Sequence, residues 1–106
     1  MATGEARLKT IREKAQALTD IMLEMTGVPR DKFMHSRQAP LPMCRAILYQ
    51  VLYKDNYSTS MIGTCFGRNH STVLHGLGTL RDLLAIGDRE TVALFDQFNE
   101  LNKTAI

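Results

Sequence analysis

Five consecutive side chains that can hydrogen-bond, at residues 68–72, form the most chemically distinctive stretch of the chain. They follow Gly67 and precede an apolar stripe at helical spacing, which predicts a short helix, a turn, and a second helix with a polar first turn. In a helix-turn-helix, the first turn of the second helix contacts base edges in the major groove of DNA. The chemistry that this stretch offers is therefore hydrogen bonding to bases. The five residues are Arg68, Asn69, His70, Ser71 and Thr72.

Helices are also predicted for the rest of the chain. Apolar residues recur at three- and four-residue steps over residues 5–26, until Gly27 ends the pattern. Pro42 suits the first turn of a helix, and Ser58 and Asp88 are suited to cap two more. Because no strand pattern is convincing, we expect a single all-α domain of five to six helices with a central helix-turn-helix. The expected helices span 5–26, 42–53, 59–66, 68–84 and 88–102, with residues 1–4 frayed.

The composition fits a small globular protein. Hydrophobic residues make up 44% of the 106 residues and charged residues 23%. No apolar run approaches the roughly 18 residues that span a bilayer, and no signal peptide opens the chain, so we expect a cytoplasmic protein without a membrane partner. The net charge of +2 is small, but the positive excess lies within residues 28–80, around the polar stretch. This light basic patch favours modest, salt-sensitive binding of DNA.

Catalytic and metal-binding readings are weaker. Cys65 with His70 or His75 would be the candidate nucleophile and base, but the two histidines are five residues apart and point to different faces of one helix. A zinc site that includes Cys44 would lack the paired close spacing of structural sites. Both cysteines lie in apolar helical patterns, which favours buried thiols over a disulfide. We therefore expect neither an enzyme nor a cofactor.

The run from Ile62 to His75, IGTCFGRNHSTVLH, resembles the signature of the C-terminal DNA-binding domain of the bacterial replication initiator DnaA. That family usually reads I-G-x-x-F-G-G-R-D-H-[ST]-T-V-L-H-A. The resemblance continues more weakly upstream and covers about residues 10–86. It implies an all-helical fold of the Trp-repressor type that binds double-stranded DNA at short A·T-rich boxes, in replication initiation or its regulation.

The resemblance also implies roles for individual residues. Arg68 and Thr72 would hold phosphates or flanking bases, and the three residues between them would read the major groove. Arg45 would reach into the narrow, negative minor groove of A·T-rich DNA. Lys54, and Arg37 in the loop at 35–42, would contact phosphates. That loop would otherwise be a solvated connector.

The chain also departs from the family's pattern. The double glycine is reduced to Gly67, and the aspartate is replaced by Asn69, which predicts a preference for adenine over cytosine at one base. The basic loop is reduced to His35 and Arg37, and the usual arginine and lysine after His75 are absent. No P-loop occurs, so we expect a free-standing binding domain, or a fragment of a longer protein, that does not itself assemble through ATP.

A second reading from a different class remains open. A helical domain that kept this fold but lost its DNA contacts would act as a protein-interaction module. It would bind a replication protein or a second copy of itself through residues 5–26 and 88–102. The thin basic loop favours this reading, whereas the five polar residues at 68–72 favour DNA.

Overall fold

A computed structural model describes residues 4–104, which form six helices and no strand, so the predicted all-α fold class is confirmed. None of these helices has the length and apolar character needed to cross a membrane. The predicted fraying of residues 1–3 lies outside the described residues, whereas Gly4 is already helical. The helices are α1 (Gly4–Thr26), α2 (Arg30–His35), α3 (Leu41–Lys54), α4 (Thr59–Phe66), α5 (His70–Ala85) and α6 (Arg89–Thr104).

The central helix is α3, which packs against every other helix of the fold. Its residues from Cys44 to Tyr49 are all buried, so it has no solvent-facing side along this segment. The closest packing is between α3 and α5, where Gly76 of α5 meets the ring of Tyr49. A Cβ built on Gly76 would lie 3.3 Å from two ring carbons, so this glycine permits the close approach of the two helices. Helix packing therefore accounts for Gly76.

Two of the expected helix caps are present. The Ser58 hydroxyl accepts a hydrogen bond from the Met61 N–H at 3.1 Å and opens α4. The Asp88 carboxylate accepts one from the Thr91 N–H at 3.1 Å and one from the Thr91 hydroxyl at 2.6 Å, and so opens α6. The helix α6 then buries Phe98 completely against the core. The C-terminal segment is therefore an integral layer of the fold.

The structure corrects one boundary that matters for the site. The second helix of the predicted helix-turn-helix begins at His70, not at Arg68, because Asn69 has extended backbone angles and serves as its N-cap. Arg68 and Asn69 therefore belong to the turn. The structure also has a short helix, α2, before the loop expected at 35–42, and this loop is confined to residues 36–40.

Candidate nucleic-acid interface

The turn between α4 and α5 is three residues long and closes onto α4. Gly67 has left-handed backbone angles (φ 65°), a conformation that glycine adopts at no steric cost. The Arg68 N–H then donates to the Gly63 carbonyl at 2.8 Å. A Cβ built on Gly63 would overlap the Arg68 carbonyl oxygen, so only glycine fits beneath this turn. Gly63 thus sets how closely the start of α5 lies against α4.

Asn69 caps α5. Its Oδ1 accepts a hydrogen bond from the Thr72 N–H at 2.9 Å and another from the Thr72 hydroxyl at 3.1 Å. A carboxamide oxygen has two lone pairs, and both are used here. The predicted readers Asn69 and Thr72 are therefore joined to each other, although both are exposed. The Asn69 amide NH₂ has no partner within residues 4–104 and remains available as a donor.

His70 and Ser71 form the exposed tip of α5. Both side chains are exposed, and neither makes a hydrogen bond or an ion pair within the part of the chain that the structure describes. They lie in the first turn of a helix, where backbone N–H groups and the helix dipole favour negative charge. The tip, defined as His70 and Ser71, thus presents an imidazole and a hydroxyl outward from a fixed helix end.

Arg45 differs from the prediction. It was expected to extend into a DNA minor groove, but the structure buries it to 7% exposure in the middle of α3. Its Nη1 donates to the Phe33 carbonyl oxygen at 2.7 Å. The last carbonyls of a helix have no partner within that helix, and Phe33 lies in the last turn of α2. In this conformation Arg45 therefore holds α2 against α3 and does not reach a surface.

Arg68 has a related position. It is half-buried, and its Nη2 donates to the Met34 carbonyl oxygen at 2.7 Å. This carbonyl neighbours the one bound by Arg45, so two guanidinium groups cover the end of α2. Arg68 thus ties the turn before α5 to α2, and its expected contact with DNA would require this bond to be released or shared.

Tyr49 interacts electrostatically with both arginines, and the three residues form a cluster, Arg45–Tyr49–Arg68. Its ring packs edge-on against Phe66 with centroids 5.2 Å apart. Burial lowers the pKa of Arg45, and Tyr49 beside it opposes that change. Burial also raises the pKa of the Tyr49 hydroxyl, while the two guanidinium groups favour its ionised form. The cluster joins α2, α3, α4 and the turn, and so fixes where α5 begins.

The two remaining predicted contacts are free surface cations. Arg37 is exposed in the loop at 36–40, and Lys54 is exposed at the end of α3. Neither makes an ion pair or a side-chain hydrogen bond among the described residues. The Nε2 atom of His35, the other basic residue of the loop region, lies 3.6 Å from the Oδ1 atom of Asp31. Arg37 and Lys54 are thus available to a phosphate, but nothing in the fold directs them to one, and their contact with phosphates stays a prediction.

The cysteines and histidines that the sequence offered as candidate ligands do not form a metal site among the described residues. Both cysteines are free thiols; Cys44 is buried and Cys65 half-buried. Burial raises the pKa of Cys44 to about 11 and also raises that of Cys65, so neither is an activated nucleophile. Within residues 4–104, no group of three or more histidine, cysteine or acidic side chains is placed to hold a metal ion.

Two features of the site are not visible in the sequence pattern. From the sequence, Arg45 is a polar residue on one face of a helix. Its hydrogen bond to the Phe33 carbonyl becomes visible only once α2 is packed against α3. Gly63 belongs to the signature run, but its spacing does not show that it lies beneath Arg68. The sequence signal for Gly63 is a glycine inside a short helix, where it carries a cost and so suggests a close contact.

The structure therefore defines an all-helical protein with a helix-turn-helix that presents a polar tip. Comparison with protein-family models, curated proteins and solved structures finds no match for this chain.

Proposed function

We propose that this protein binds double-stranded DNA in a sequence-specific way through the first turn of α5. The observation that carries the proposal is the tip: His70 and Ser71 are exposed, lack partners among the described residues, and lie at the N-terminus of a helix behind a rigid turn. A helix end of this kind supplies donors and acceptors for base edges and a dipole that favours nearby phosphates.

The roles of the other residues follow from their positions. Arg37 and Lys54 contact phosphates, which sets register without reading sequence. Asn69 caps the helix and offers its NH₂ to a phosphate. Arg45 and Arg68 are positioning residues that hold the start of α5 through α2. The resemblance to the initiator's DNA-binding domain supports an A·T-rich short box as the target and a role in replication initiation or its regulation.

The test measures fluorescence anisotropy of labelled duplexes, one carrying an initiator-type A·T-rich nonamer and one scrambled, at about 0.15 M salt, where weak surface contacts are screened. Selection of binding sites from random DNA is carried out in parallel. We expect a preferred sequence, and the variant His70→Ala with Ser71→Ala should lose about 1–3 kcal/mol of discrimination for it. Gln97→Ala on the exposed face of α6 serves as the control. Absence of binding in both assays would overturn the proposal.

A protein-interaction module is the second candidate. The observation that favours it is the internal use of polar groups that the resemblance assigns to DNA: Arg45, Arg68 and the Asn69 oxygen are all bonded within the chain. A replication protein or a second copy of this chain would then be the partner. Sedimentation equilibrium across a range of concentrations, together with the DNA assays, separates the two candidates: self-association without binding to any duplex supports a module that contacts a second copy, whereas binding to a preferred duplex supports the first candidate.

A further inference from the structure

A groove between α3 and α5 begins one turn beyond the tip. It encloses about 430 Å³ and is lined by Gln50, Tyr53, Leu74, Leu77, Gly78 and Arg81. Tyr53 and Leu74 are 51% and 52% exposed, and they are two of the three large apolar side chains that the described residues leave exposed. This groove, the α3–α5 groove, is therefore an open surface that residues 4–104 do not cover.

Gly78 is the unexplained residue of this groove. Glycine lowers the stability of a helix interior relative to alanine, so its presence calls for a reason. For Gly76 the reason is the Tyr49 ring, but a Cβ built on Gly78 would meet nothing closer than the Arg81 Nη2 at 3.9 Å. The protein's own packing would accept a side chain at Gly78. What glycine provides is access to the helix backbone from outside.

The groove continues the face of α5 that carries the tip. His70, Leu74 and Gly78 are four residues apart and so lie in one row along the helix. A helix with its side chains is about 10–12 Å across, and the major groove is about 12 Å wide, so a helix inserted there has its flanks against the sugar-phosphate walls. The flank of α5 that continues from the tip is the α3–α5 groove.

Charge at the groove favours an anionic occupant. Arg81 lines it, and the Arg81 Nε lies 3.2 Å from the Asp82 carboxylate. Both side chains are mostly exposed, and an exposed ion pair of this kind is weak enough to be exchanged for a contact with a phosphate. Lys54 follows Tyr53 at the end of α3 and makes no ion pair with any residue from 4 to 104. Apolar contacts from Tyr53 and Leu74 suit the deoxyribose carbons between two phosphates.

We propose that the sugar-phosphate backbone of one DNA strand lies in the α3–α5 groove, with Gly78 at the point of closest approach and Arg81 bound to a phosphate. The inference rests on the proposed function and deepens it by naming a second contact surface on α5. It assigns to Gly78 the role of admitting the strand, which any side chain at that position would obstruct.

The test compares Gly78→Ala and Gly78→Met with Ala93→Met, the same long side chain on the exposed face of α6. Both Gly78 variants should melt at a higher temperature than the wild type, because they improve the helix. Their affinity should nevertheless fall equally for the preferred and the scrambled duplex, by about tenfold for Gly78→Met, in line with the loss of a phosphate contact. Arg81→Ala should lower the salt slope of binding by about 1.

The contrary outcomes are distinct. If Gly78→Met bound DNA with the affinity, the salt slope and the sequence preference of the wild type, the assignment of the groove would be overturned. The proposed function would still stand. Self-association of the wild type that Gly78→Met abolishes, with DNA binding unchanged, would make the groove a contact between two copies and overturn the inference. If the wild type bound no duplex in anisotropy or in selection, the proposed function and this inference would both fall.

Discussion

The Oδ1 atom of Asn69 would be needed both to cap α5 and to read an adenine base. A bidentate contact with adenine needs Oδ1 as an acceptor and the NH₂ as a donor. In the structure Oδ1 already accepts from the Thr72 N–H and the Thr72 hydroxyl. To read adenine, Asn69 would therefore have to give up the cap of α5. Because the side chains of His70 and Ser71 make no capping hydrogen bond, we expect these two residues to make most of the contacts with bases.

The capping role makes a prediction for Asn69. Asn69→Ala should lower the free energy of unfolding by about 1 kcal/mol, as the loss of an N-cap does, whereas Asn69→Asp should keep it. Urea denaturation measures both. Ser58→Ala is the matched control, since it removes the N-cap of α4 without touching the tip. The relative affinities of Asn69→Ala for single-base variants of the site should match those of the wild type, and a change confined to one base would show that Asn69 reads it.

Arg45 yields a prediction of the opposite kind. Its guanidinium is buried and bonded to the Phe33 carbonyl, and a hydrogen bond from a charged donor contributes about 2 kcal/mol. Arg45→Met keeps the aliphatic length but removes the donor, so we expect the free energy of unfolding to fall by about that amount. The salt slope of DNA binding should stay the same, because no phosphate contact is lost. A lower slope with unchanged stability would instead place Arg45 on the DNA.

At the scale of elements, the sequence predicted the helices well because their ends carry local signals. Ser58, Gly67 and Asp88 act on neighbouring residues through short-range bonds, and each lies where the pattern placed it. The start of α5 was misplaced by two residues because a polar run looks the same as a cap or as a first turn. Long-range contacts had no such signal: the bond from Arg45 to Phe33 depends on how α2 packs against α3.

The same distinction explains what could be predicted of the site. Exposure of His70, Ser71, Arg37 and Lys54 agrees with the sequence reading, because polar residues at helix ends and in loops seldom lose water. The internal bonds of Arg68 were not predictable, since they depend on the end of α2 reaching the turn. Residues that act through another element are thus the ones that sequence periodicity misses.

The cap of α6 makes this helix sensitive to acid. Hydrogen bonds from the Thr91 hydroxyl and N–H lower the pKa of Asp88 below its ordinary value of 3.8. A lowered folded-state pKa means that the stabilisation is fully present above pH 3.8 and is lost as the pH falls through the lower folded value. Asp88→Asn keeps a capping oxygen but does not titrate.

We therefore expect Asp88→Asn to lose less stability than the wild type as the pH is lowered below 3.8. Thermal melts followed by circular dichroism at a series of pH values measure the difference, with the two proteins compared at neutral pH as the reference. Parallel losses for both proteins would mean that the Asp88 carboxylate does not set the acid sensitivity of α6.

At the scale of the whole molecule, several surface charges are paired locally. Lys14 pairs with Asp55 at 3.5 Å, Lys103 pairs with Glu100 at 3.6 Å, and Arg30 pairs with Asp20. The net charge of +2 is therefore a poor guide to DNA affinity. The affinity depends on the cations near the tip that are free to contact a phosphate. Among the residues assigned to DNA, Arg37 and Lys54 have no internal ion pair within residues 4–104, and Arg81 can exchange its surface pair with Asp82 for a phosphate.

This count predicts the salt dependence of binding. Each phosphate neutralised contributes about −0.9 to the slope of log affinity against log salt, so three contacts give a slope of roughly −3. Lys54→Ala should weaken binding to all duplexes alike and reduce the magnitude of the slope by about 1. Lys103→Ala is the matched control, because it removes the same charge from an internally paired lysine on α6. Equal slopes for the two variants would mean that the loss at Lys54 reflects overall charge, and that its phosphate contact does not exist.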